Sequence, residues 1–347
     1  MLRGWIAGHA WLTFVALVAE VLVGYPAWLH ARIPHPVVWA GNAIEAFERW
    51  WNDPQYSFAK RRLLGSIAIL LLVVAALVLG AAVELGAFRA ETAYETAFQR
   101  AVSRPGEIGH YDHPWAGIVV LVVLALAASV GLAQRSLFVH VRDVLIALRA
   151  GDLVAARERV SLIVGRDTRQ LDASGVSAAA LESLAESFND GIVAPAFWLT
   201  LGGLPGLFAY KVLNTADSLI GHKEERWRAF GWAAARADDV ANLVPARIAG
   251  TLLAVAGWAG LLVMFKDASK HSSPNAGWPE AAMAGALGVR LGGPATYDGV
   301  LHERPVFGTG PAPGVADLGR GLRIYVIACG LLWLLTLGVF VYMALSR

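Results

Sequence analysis

The chain has 347 residues, of which 56% are hydrophobic and 16% charged, and its formal net charge is +2. This composition is far more apolar than that of an ordinary soluble protein, so we expect a membrane protein. The single cysteine excludes an intrachain disulfide and a cysteine-based metal cluster, and the small net charge argues against nucleic acid as a partner.

The apolar runs predict an all-α, polytopic integral membrane protein. Four runs are long enough to cross about 30 Å of hydrocarbon as helices. They are Trp5–Val23, Leu63–Val83, Trp115–Gln134 and Ile324–Ser346. A cleavable signal peptide is the alternative for the first run, but no small-residue cleavage site follows it. We therefore expect a retained first helix.

Two further runs, 191–210 and 248–265, raise the possible number of membrane helices from four to six. The first is broken by two prolines and by paired glycines, and the second has only 18 uncharged residues. Lys and Arg number five in residues 24–62 and seven in 135–190, against one before the first run and three in 85–115. Because basic loops stay inside, this alternation places the segments after the first and third runs in the cytoplasm. Residues 211–247 and 266–323 also have six Lys and Arg each, which keeps them inside and favours re-entrant or buried segments for both ambiguous runs. The alternative is that both runs cross.

The expected organisation is a single membrane-embedded domain, 1–347. Within it we distinguish a polar segment at 24–62, a polar core bearing most motifs at 135–247, a cytoplasmic loop region at 266–322 and the last membrane helix at 324–346. The polar segment contains a predicted amphipathic helix, Val38–Trp51. A loop is expected from about Glu84 to Pro114, and Gly151-Asp152 predicts a helix stop followed by a new cap.

The strongest polar pattern lies in a predicted helix from Ser177 to Asp190. Glu182, Glu186 and Asn189 fall on one face of it, with Asp190 close by. Two carboxylates one turn apart repel each other, and no lysine or arginine lies on this helix to relieve them. The pattern indicates a site for a divalent metal or a substrate amine. A solvated helix face is the alternative.

A second helix repeats this idea with Asp238, Asp239 and Asn242, which come directly before an apolar run. Arg236 or Arg247 lies close enough in sequence to neutralise these acids or to reach a phosphate. Asn214 and Asp217 form a weaker pair, which a helix cap explains equally well.

Three polar stretches have both a binding and a structural interpretation. Gly165-Arg166-Asp167-Thr168 could present backbone N–H groups and a guanidinium to a phosphate, or simply end one helix and cap the next. His35 lies between two prolines, and a lone histidine is more often structural. Residues 273–280, with Asn275 and Glu280, and 292–299 are rich in turn residues and predict ordered loops that could bind ligands. The P-loop, dinucleotide, zinc-protease and serine-hydrolase motifs do not occur.

Taken together, the polar motifs resemble those of the CobD/CbiB family, the membrane-bound adenosylcobinamide-phosphate synthases of cobalamin biosynthesis. The resemblance covers roughly residues 24–300. The motifs that carry it are Pro34-His35-Pro36-Val37, Gly165–Thr168, Glu182-Ser183-x-x-Glu186, Asp190-Gly191-x-x-Ala194-Pro195, Gly202-Gly203-x-Pro205-Gly206, Asn214-Thr215-x-Asp217-Ser218, Asp238-Asp239-x-x-Asn242 and Ser273–Glu280.

The chain departs from the family pattern at two places. It has Gly24-Tyr25-Pro26 where Gly-Asp-Pro is expected, and Glu186-Ser187 where Glu-Asn is expected. An aspartate at the first position is therefore not required, and the amide role falls to Asn189.

The resemblance implies an ATP-dependent amide ligase. It would join the propionate carboxylate of adenosylcobyric acid to 1-amino-2-propanol, either free or as its O-phosphate, with ATP and Mg²⁺ as cofactors. It also implies an inner (cytoplasmic) membrane location, a lipid bilayer around the chain and no nucleic-acid partner, and it leaves open an association with other membrane enzymes of cobamide assembly.

The site residues that the resemblance implies fall into three groups. The catalytic candidates are Glu182, Glu186, Asp190 and Asp217. The substrate-binding candidates are His35, Arg166, Asn189, Asn214, Lys223, Arg247, Asn275 and Glu280. The metal-ligand candidates are Asp167, Glu182, Glu186, Asp238, Asp239 and Asn242. A non-catalytic relative that senses or scaffolds, and a small-molecule transporter, are the competing functional classes.

Overall fold

The computed structural model describes residues 2–25, 32, 34–102, 114–297 and 299–346. Pro26 and Asp298, which belong to the predicted motifs, lie outside these residues. The all-α prediction is confirmed, because helices dominate and the strands have two or three residues each.

The helices in chain order are α1 (Leu2–Val23), α2 (Pro36–Trp51), α3 (Phe58–Val102), α4 (Pro114–Ser129), α5 (Gln134–Arg149), α6 (Leu153–Ser161), α7 (Ala173–Phe188), α8 (Ala194–Ile220), α9 (Glu225–Arg228), α10 (Trp232–Ala241), α11 (Leu243–Ala256), α12 (Leu261–Asp267), α13 (Gly277–Leu287) and α14 (Val315–Leu345). One turn of π-helix, Asn189–Val193, joins α7 to α8, and a 3₁₀ turn, Ala268–Lys270, follows α12. The strands are β1 (Leu291–Gly292), β2 (Ala295–Tyr297), β3 (Val300–His302) and β4 (Val306–Phe307).

The prediction of a polytopic membrane protein is confirmed by helix length and composition. Four stretches are long and apolar enough to cross a membrane: Leu2–Val23, Phe58–Tyr94, Ala173–Ile220 and Val315–Leu345. Two bent helix pairs, 115–149 and 232–256, raise the number to six if each pair forms one span. The chain therefore has four to six candidate spans, as the sequence predicts.

Three local predictions can be compared directly with the helices. Asp152 caps α6 by accepting a hydrogen bond from the N–H of Ala155 at 2.9 Å, which confirms the stop and cap after α5. The loop expected from Glu84 is wrong as far as Val102, because 84–102 is rich in good helix formers and continues α3. The apolar run 248–265 is not one helix, since a turn at 257–260 separates α11 from α12.

The chain divides into two compact units. Unit 1 consists of Met1–Leu132, Trp198–Ala235 and Thr336–Arg347. Its core includes Ile44 of α2, Ile69 of α3, Ile220 at the end of α8 and Phe230 in the turn between α9 and α10. The predicted break in the run 191–210 is confirmed within this unit. Gly203, at φ 62° and ψ −158°, interrupts the helical backbone of α8 two residues before Pro205.

Unit 2 consists of Ala133–Phe197 and Arg236–Leu335 and contains most of the predicted site residues. Helix α13 lies at its centre, packed against α7, α11 and α12. Strand β1 pairs with β4 in antiparallel register, Leu291 opposite Phe307, and β2 pairs with β3. These short ladders hold the 291–307 segment next to α7 and α13.

Candidate functional site

A buried ionic cluster in unit 2 is organised around Glu182, whose residue is 2% exposed. Its Oε1 accepts a hydrogen bond from the N–H of Gly292 at 2.8 Å. Its Oε2 accepts one from Arg304 at 2.9 Å and another from Arg166. We call Glu182, Arg166, Arg304 and the neighbouring Glu280 the Glu182 cluster. The arginines that relieve the acids of α7 thus come from loops and not from the helix itself.

Glu280 is the second buried acid of the Glu182 cluster, and it is 1% exposed. Its Oε2 lies 3.8 Å from Arg304 Nη2 and its Oε1 lies 3.8 Å from His271 Nε2. Among the described residues, Oε2 has no hydrogen-bond partner. Burial raises the pKa of Glu280 well above its usual range, and the charges of Glu186 and Glu182 add to this while the two arginines oppose it. The neutral acid is therefore favoured at Glu280.

Arg166 is positioned by a link between the Gly165–Thr168 loop and the β2–β3 hairpin. The N–H of Asp167 donates to the carbonyl of Thr296 at 2.8 Å, and the N–H of Gly299 donates to the Asp167 carboxylate at 2.9 Å. One carboxylate oxygen of Asp167 is thereby used to fix the hairpin. The cap of α7 is Asp172 and not this loop, since Asp172 accepts from the N–H of Gly175 at 2.7 Å.

Glu186 lies one helical turn after Glu182 on α7 and differs from it in exposure. Glu182 is buried, whereas Glu186 is exposed. Successive residues of a helix rise by about 1.5 Å, so Glu182 and Glu186 are about 6 Å apart along the axis and Asp190 is about 6 Å further on. The polar face of α7 thus includes both the buried Glu182 cluster and, one turn later, the exposed carboxylate of Glu186.

An amide–acid network, defined as Asn189, Asp190, Asn242 and Asp238, begins where α7 passes into the π-helical turn. The Nδ2 of Asn189 donates to Asp190 Oδ1 at 2.7 Å and to Asn242 Oδ1 at 2.8 Å. The Nδ2 of Asn242 donates to Asp238 Oδ2 at 3.0 Å. The prediction that Asp238 and Asn242 share a face is confirmed. Single π-helical turns are common at functional sites.

Asn275 and Arg247 extend the polar region next to this network. The Nδ2 of Asn275 donates to the carbonyl of Asp239 at 2.8 Å, and Arg247 Nη1 lies 3.4 Å from Asn275 Oδ1. The Arg247 guanidinium lies over the ring of Trp278, 4.4 Å from its centroid. The Asp239 carboxylate pairs with Arg236 at 3.1 Å. Unit 2 thus brings together the predicted residues of α7, α10, α11 and the 273–280 segment.

Four predicted residues belong to unit 1. His35 caps α2, since its Nδ1 accepts from the N–H of Val37 at 3.3 Å. Asn214 and Asp217 are partly buried on α8, and Lys223 is exposed just after this helix. The capping contact of His35 matches the structural interpretation of a lone histidine. The binding and catalytic roles of these four residues stay predictions.

The acidic side chains of unit 2 supply the oxygen ligands that Mg²⁺ prefers. Among the described residues, no group of three or more His, Cys, Asp and Glu side chains is arranged to hold a metal ion. Mg²⁺ at phosphate sites, however, is usually held by one or two carboxylates together with the substrate phosphates. The open carboxylate of Glu186 fits that requirement. At Glu182 a metal ion would have to displace the guanidinium group of Arg166 or Arg304. Metal binding by Asp167, Asp238, Asp239 and Asn242 stays a prediction.

Sequence reasoning missed Arg304, which contacts Glu182 across 122 positions of the chain. The signal for it was the absence of a basic residue on α7, which requires a cation from elsewhere. The sequence does not show which of 29 lysines and arginines supplies it. For the same reason the sequence predicts only a loop at Gly292 and gives no role to His271.

Comparison with known proteins identifies relatives over most of the chain. A family model described as "CobD/Cbib protein" matches residues 13–325. A Rhodobacter capsulatus protein named "Cobalamin biosynthesis protein CobD" is 45% identical over 315 residues, which cover 90% of this chain and 91% of the relative. Proteins of the same name from a Sinorhizobium species and from Brucella anthropi are each 44% identical, covering 91% and 84% of this chain and 93% and 84% of the relatives. No solved structure matches the chain.

Proposed function

The chain belongs to the CobD/CbiB family, and from this premise we propose that it is an ATP-dependent amide ligase of cobalamin biosynthesis. It joins the propionate carboxylate of adenosylcobyric acid to the amine of (R)-1-amino-2-propanol O-phosphate, or of free aminopropanol, and gives adenosylcobinamide phosphate or adenosylcobinamide. The family membership and the names of the relatives support a role in this pathway. The reaction and its substrates are our own proposal, which the resemblance implies and the arrangement of the site supports.

The chemistry requires activation of the carboxylate. A carboxylate is a poor acylating agent, because its leaving group would be an oxide. In the proposed reaction a carboxylate oxygen attacks the γ-phosphorus of ATP, ADP leaves, and an acyl phosphate forms. The amine nitrogen then attacks the acyl carbon, the C–O bond to phosphate breaks, and the nitrogen loses a proton as the amide forms.

The observation that carries the proposal is the polar face of α7 with its partners. Arg166 and Arg304 are fixed by one buried carboxylate, and among the described residues Glu182 and Glu280 are the groups with which their guanidinium nitrogens pair. We propose that the guanidinium N–H groups outside these pairs contact phosphate oxygens. Preorganised guanidinium groups stabilise the charge of a transferring phosphoryl group, and Arg contacts it in planar, two-pronged geometry.

The residues that follow on α7 supply the other requirements. Mg²⁺, when bound together with ATP, offsets negative charge on the phosphates, and Glu186 is the residue that would hold it. Asp190 lies one turn further on, hydrogen-bonded to Asn189, where it would take the proton that the amine releases. Phosphoryl transfer and amine attack would therefore occur in sequence along one helix face.

The location proposed for this site is the cytoplasmic side of the inner membrane, where ATP is available. The excess of Lys and Arg in 24–62 and 135–190 supports this orientation. The lipid bilayer is the proposed surroundings of the apolar helices.

A trapping experiment tests the activation step. Detergent-purified protein is incubated with adenosylcobyric acid and Mg-ATP, with hydroxylamine in place of the amine, and the corrinoid is analysed by mass. We expect a hydroxamate and one ADP for each hydroxamate formed. The matched control is Glu158→Ala, which changes an exposed acid on α6. No hydroxamate under conditions in which the amine gives amide would contradict an acyl phosphate.

A further inference from the structure

The side-chain amide of Asn189 is held in a single orientation by its neighbours. Its Nδ2 lies 2.7 Å from a carboxylate oxygen of Asp190 and 2.8 Å from the Oδ1 of Asn242. Both of these atoms accept hydrogen bonds, so the NH₂ group of Asn189 must face Asp190 and Asn242. The carbonyl oxygen Oδ1 therefore points away from them.

The orientation of Asn242 is fixed in turn by Asp238. The Nδ2 of Asn242 donates to Asp238 Oδ2 at 3.0 Å, so the Oδ1 of Asn242 must face Asn189. Since an ionised carboxylate can only accept hydrogen bonds, Asp238 and Asp190 together exclude the flipped amide. Two acids thus set the direction of one neutral carbonyl group.

The consequence is a buried acceptor that lacks a donor. Asn189 is 3% exposed, and its Oδ1 has no hydrogen-bond partner among the described residues. Leaving a buried acceptor unsatisfied destabilises a folded protein, so such an atom in a native structure calls for an explanation. A ligand that brings a donor would remove the penalty.

We propose that Asn189 Oδ1 accepts a hydrogen bond from the ammonium group of the amine substrate. This inference rests on the proposed function and deepens it, because it identifies the residue that recognises the nucleophile before attack. A carbonyl oxygen cannot donate, so the phosphate and carboxylate groups of the substrates are excluded as its ligand.

Charge and position favour an ammonium group as the donor. The amide–acid network contains two carboxylates, which attract a cation to the carbonyl. An ammonium group has three N–H donors and no acceptor, so it can donate to Asn189 Oδ1 and to a neighbouring carboxylate at once. Asn189 directly precedes Asp190, the residue proposed to take the proton from the same nitrogen.

The test uses two nucleophiles with the full-length protein in detergent. The amine substrate is an ammonium ion at neutral pH, whereas hydroxylamine is uncharged and does not need the proposed contact. For Asn189→Ala we expect the KM for the amine to rise about tenfold or more, because a hydrogen bond to a charged group contributes at least that factor. Hydroxamate formation with saturating hydroxylamine should keep the wild-type rate.

A second variant changes the surroundings of the amide and not the residue itself. Asp238→Asn removes one of the two carboxylates that attract a cation to Asn189, while Asp190 still accepts a hydrogen bond from the NH₂ group of Asn189. We expect the KM for the amine to rise about twofold or more, because the charged ammonium group loses an attractive charge nearby. The uncharged hydroxylamine should be affected less.

The matched control is Gln134→Ala. This residue is also a buried amide of unit 2, 2% exposed, and its Oε1 accepts from Trp333 at 2.9 Å. We expect it to lower thermal stability and to leave the KM for the amine unchanged. Binding of adenosylcobyric acid, followed by corrinoid absorbance, establishes that each variant is folded.

Failure of the proposed function and failure of the inference about Asn189 give different results. A wild-type protein that forms no amide with either amine would overturn the proposed function and this inference together. A wild-type protein that forms amide, with an unchanged KM for the amine in folded Asn189→Ala, would overturn the inference alone. If Asn189→Ala does not fold, an unchanged KM in Asp238→Asn has the same meaning. Equal losses with the amine and with hydroxylamine would also overturn it, because the effect would then not depend on the ammonium group.

Discussion

Glu84 in unit 1 and Glu182 in unit 2 are both buried carboxylates, yet they bind different kinds of partner. Glu84 Oε1 accepts the N–H of Leu204 at 2.7 Å and lies 3.3 Å from His9 Nε2. Glu182 accepts one N–H from the main chain and hydrogen bonds from two guanidinium groups. An acid in an apolar chain is a candidate site, but its partners decide between a structural and a catalytic role.

The contacts of Glu84 explain how unit 1 tolerates a broken helix among apolar residues. The break at Gly203 frees the N–H of Leu204, which Glu84 binds, and the carbonyl of Leu201 accepts from Trp5 Nε1 at 3.1 Å. Thr13 and Thr200 are joined at 3.0 Å next to it. In transporters the free end of a half-helix binds a substrate anion. Here the chain's own carboxylate binds that N–H, which weakens the transporter alternative.

The largest effect that would test this comparison is expected for Glu182→Ala. Removing this acid takes the shared partner from Arg166 and Arg304, whose side chains are mostly buried, and loss of one member of a buried ion pair typically lowers the free energy of unfolding by about 3–5 kcal/mol. Amide formation should fall below detection even in the fraction that remains folded. Thermal unfolding and product mass measure the two effects, with Glu158→Ala as the control. Normal turnover by Glu182→Ala would remove the Glu182 cluster from the mechanism.

The next largest effect is expected for Gly203→Ala, which tests the structural role of the helix break in unit 1. Its φ and ψ are essentially restricted to glycine, and a Cβ would lie 2.7 Å from His9 Nε2. We expect the unfolding free energy to fall by about 1–3 kcal/mol, with the rate per folded molecule unchanged.

Gly202→Ala is a close control for this variant, since a Cβ there meets nothing within 4 Å. Thermal unfolding of the two variants in the same detergent gives the difference. Equal stability of the two variants would show that the break does not constrain unit 1.

A pH-dependent effect is expected from Glu280. Because burial and the neighbouring acids raise its pKa in the folded state, the unfolded state ionises more easily. Stability should therefore fall as pH rises from the ordinary glutamate pKa of 4.5 through the raised value. Glu280→Gln should remove this loss and be the more stable protein at neutral pH. Parallel stability curves for the two proteins from pH 4 to pH 8 would contradict this prediction.

The smallest effect is expected at Glu48 in unit 1. Hydrogen bonds from Arg226, at 2.9 and 2.8 Å, lower the pKa of Glu48, although burial opposes them. The stability that this pair contributes is present above the ordinary pKa and is lost as pH falls through the lowered value. Glu48→Gln should be slightly less stable than wild type at pH 7 and equal to it in strong acid. A difference in stability between the two proteins that persists in strong acid would show that packing, and not the Glu48–Arg226 ion pair, causes it.

The sequence predicts those features that depend on neighbouring residues. The helical class, the cap at Asp152, the break at Gly203 and the pairing of Asp238 with Asn242 all follow from spacing or from local residue type. They are confirmed because propensity, periodicity and side-chain capping act over a few residues.

The partners of the buried acids could not be predicted in this way. Arg304 reaches Glu182 across 122 positions, Leu204 reaches Glu84 across 120, and Asn242 reaches Asn189 across 53. Tertiary packing brings these groups together, and one sequence contains no signal for it. The acids were identified because ionised groups near hydrocarbon need compensation, whereas the compensating groups required the fold.

The most direct measurement compares the two buried acids in one assay. Wild type, Glu182→Gln and Glu84→Gln are each incubated with adenosylcobyric acid, aminopropanol phosphate and Mg-ATP, and the corrinoid product is quantified by mass per folded molecule. We predict amide product from wild type and Glu84→Gln and none from Glu182→Gln, since glutamine at 84 keeps an acceptor for Leu204 whereas glutamine at 182 removes the charge that holds two arginines. Product from Glu182→Gln at the wild-type rate would contradict the account.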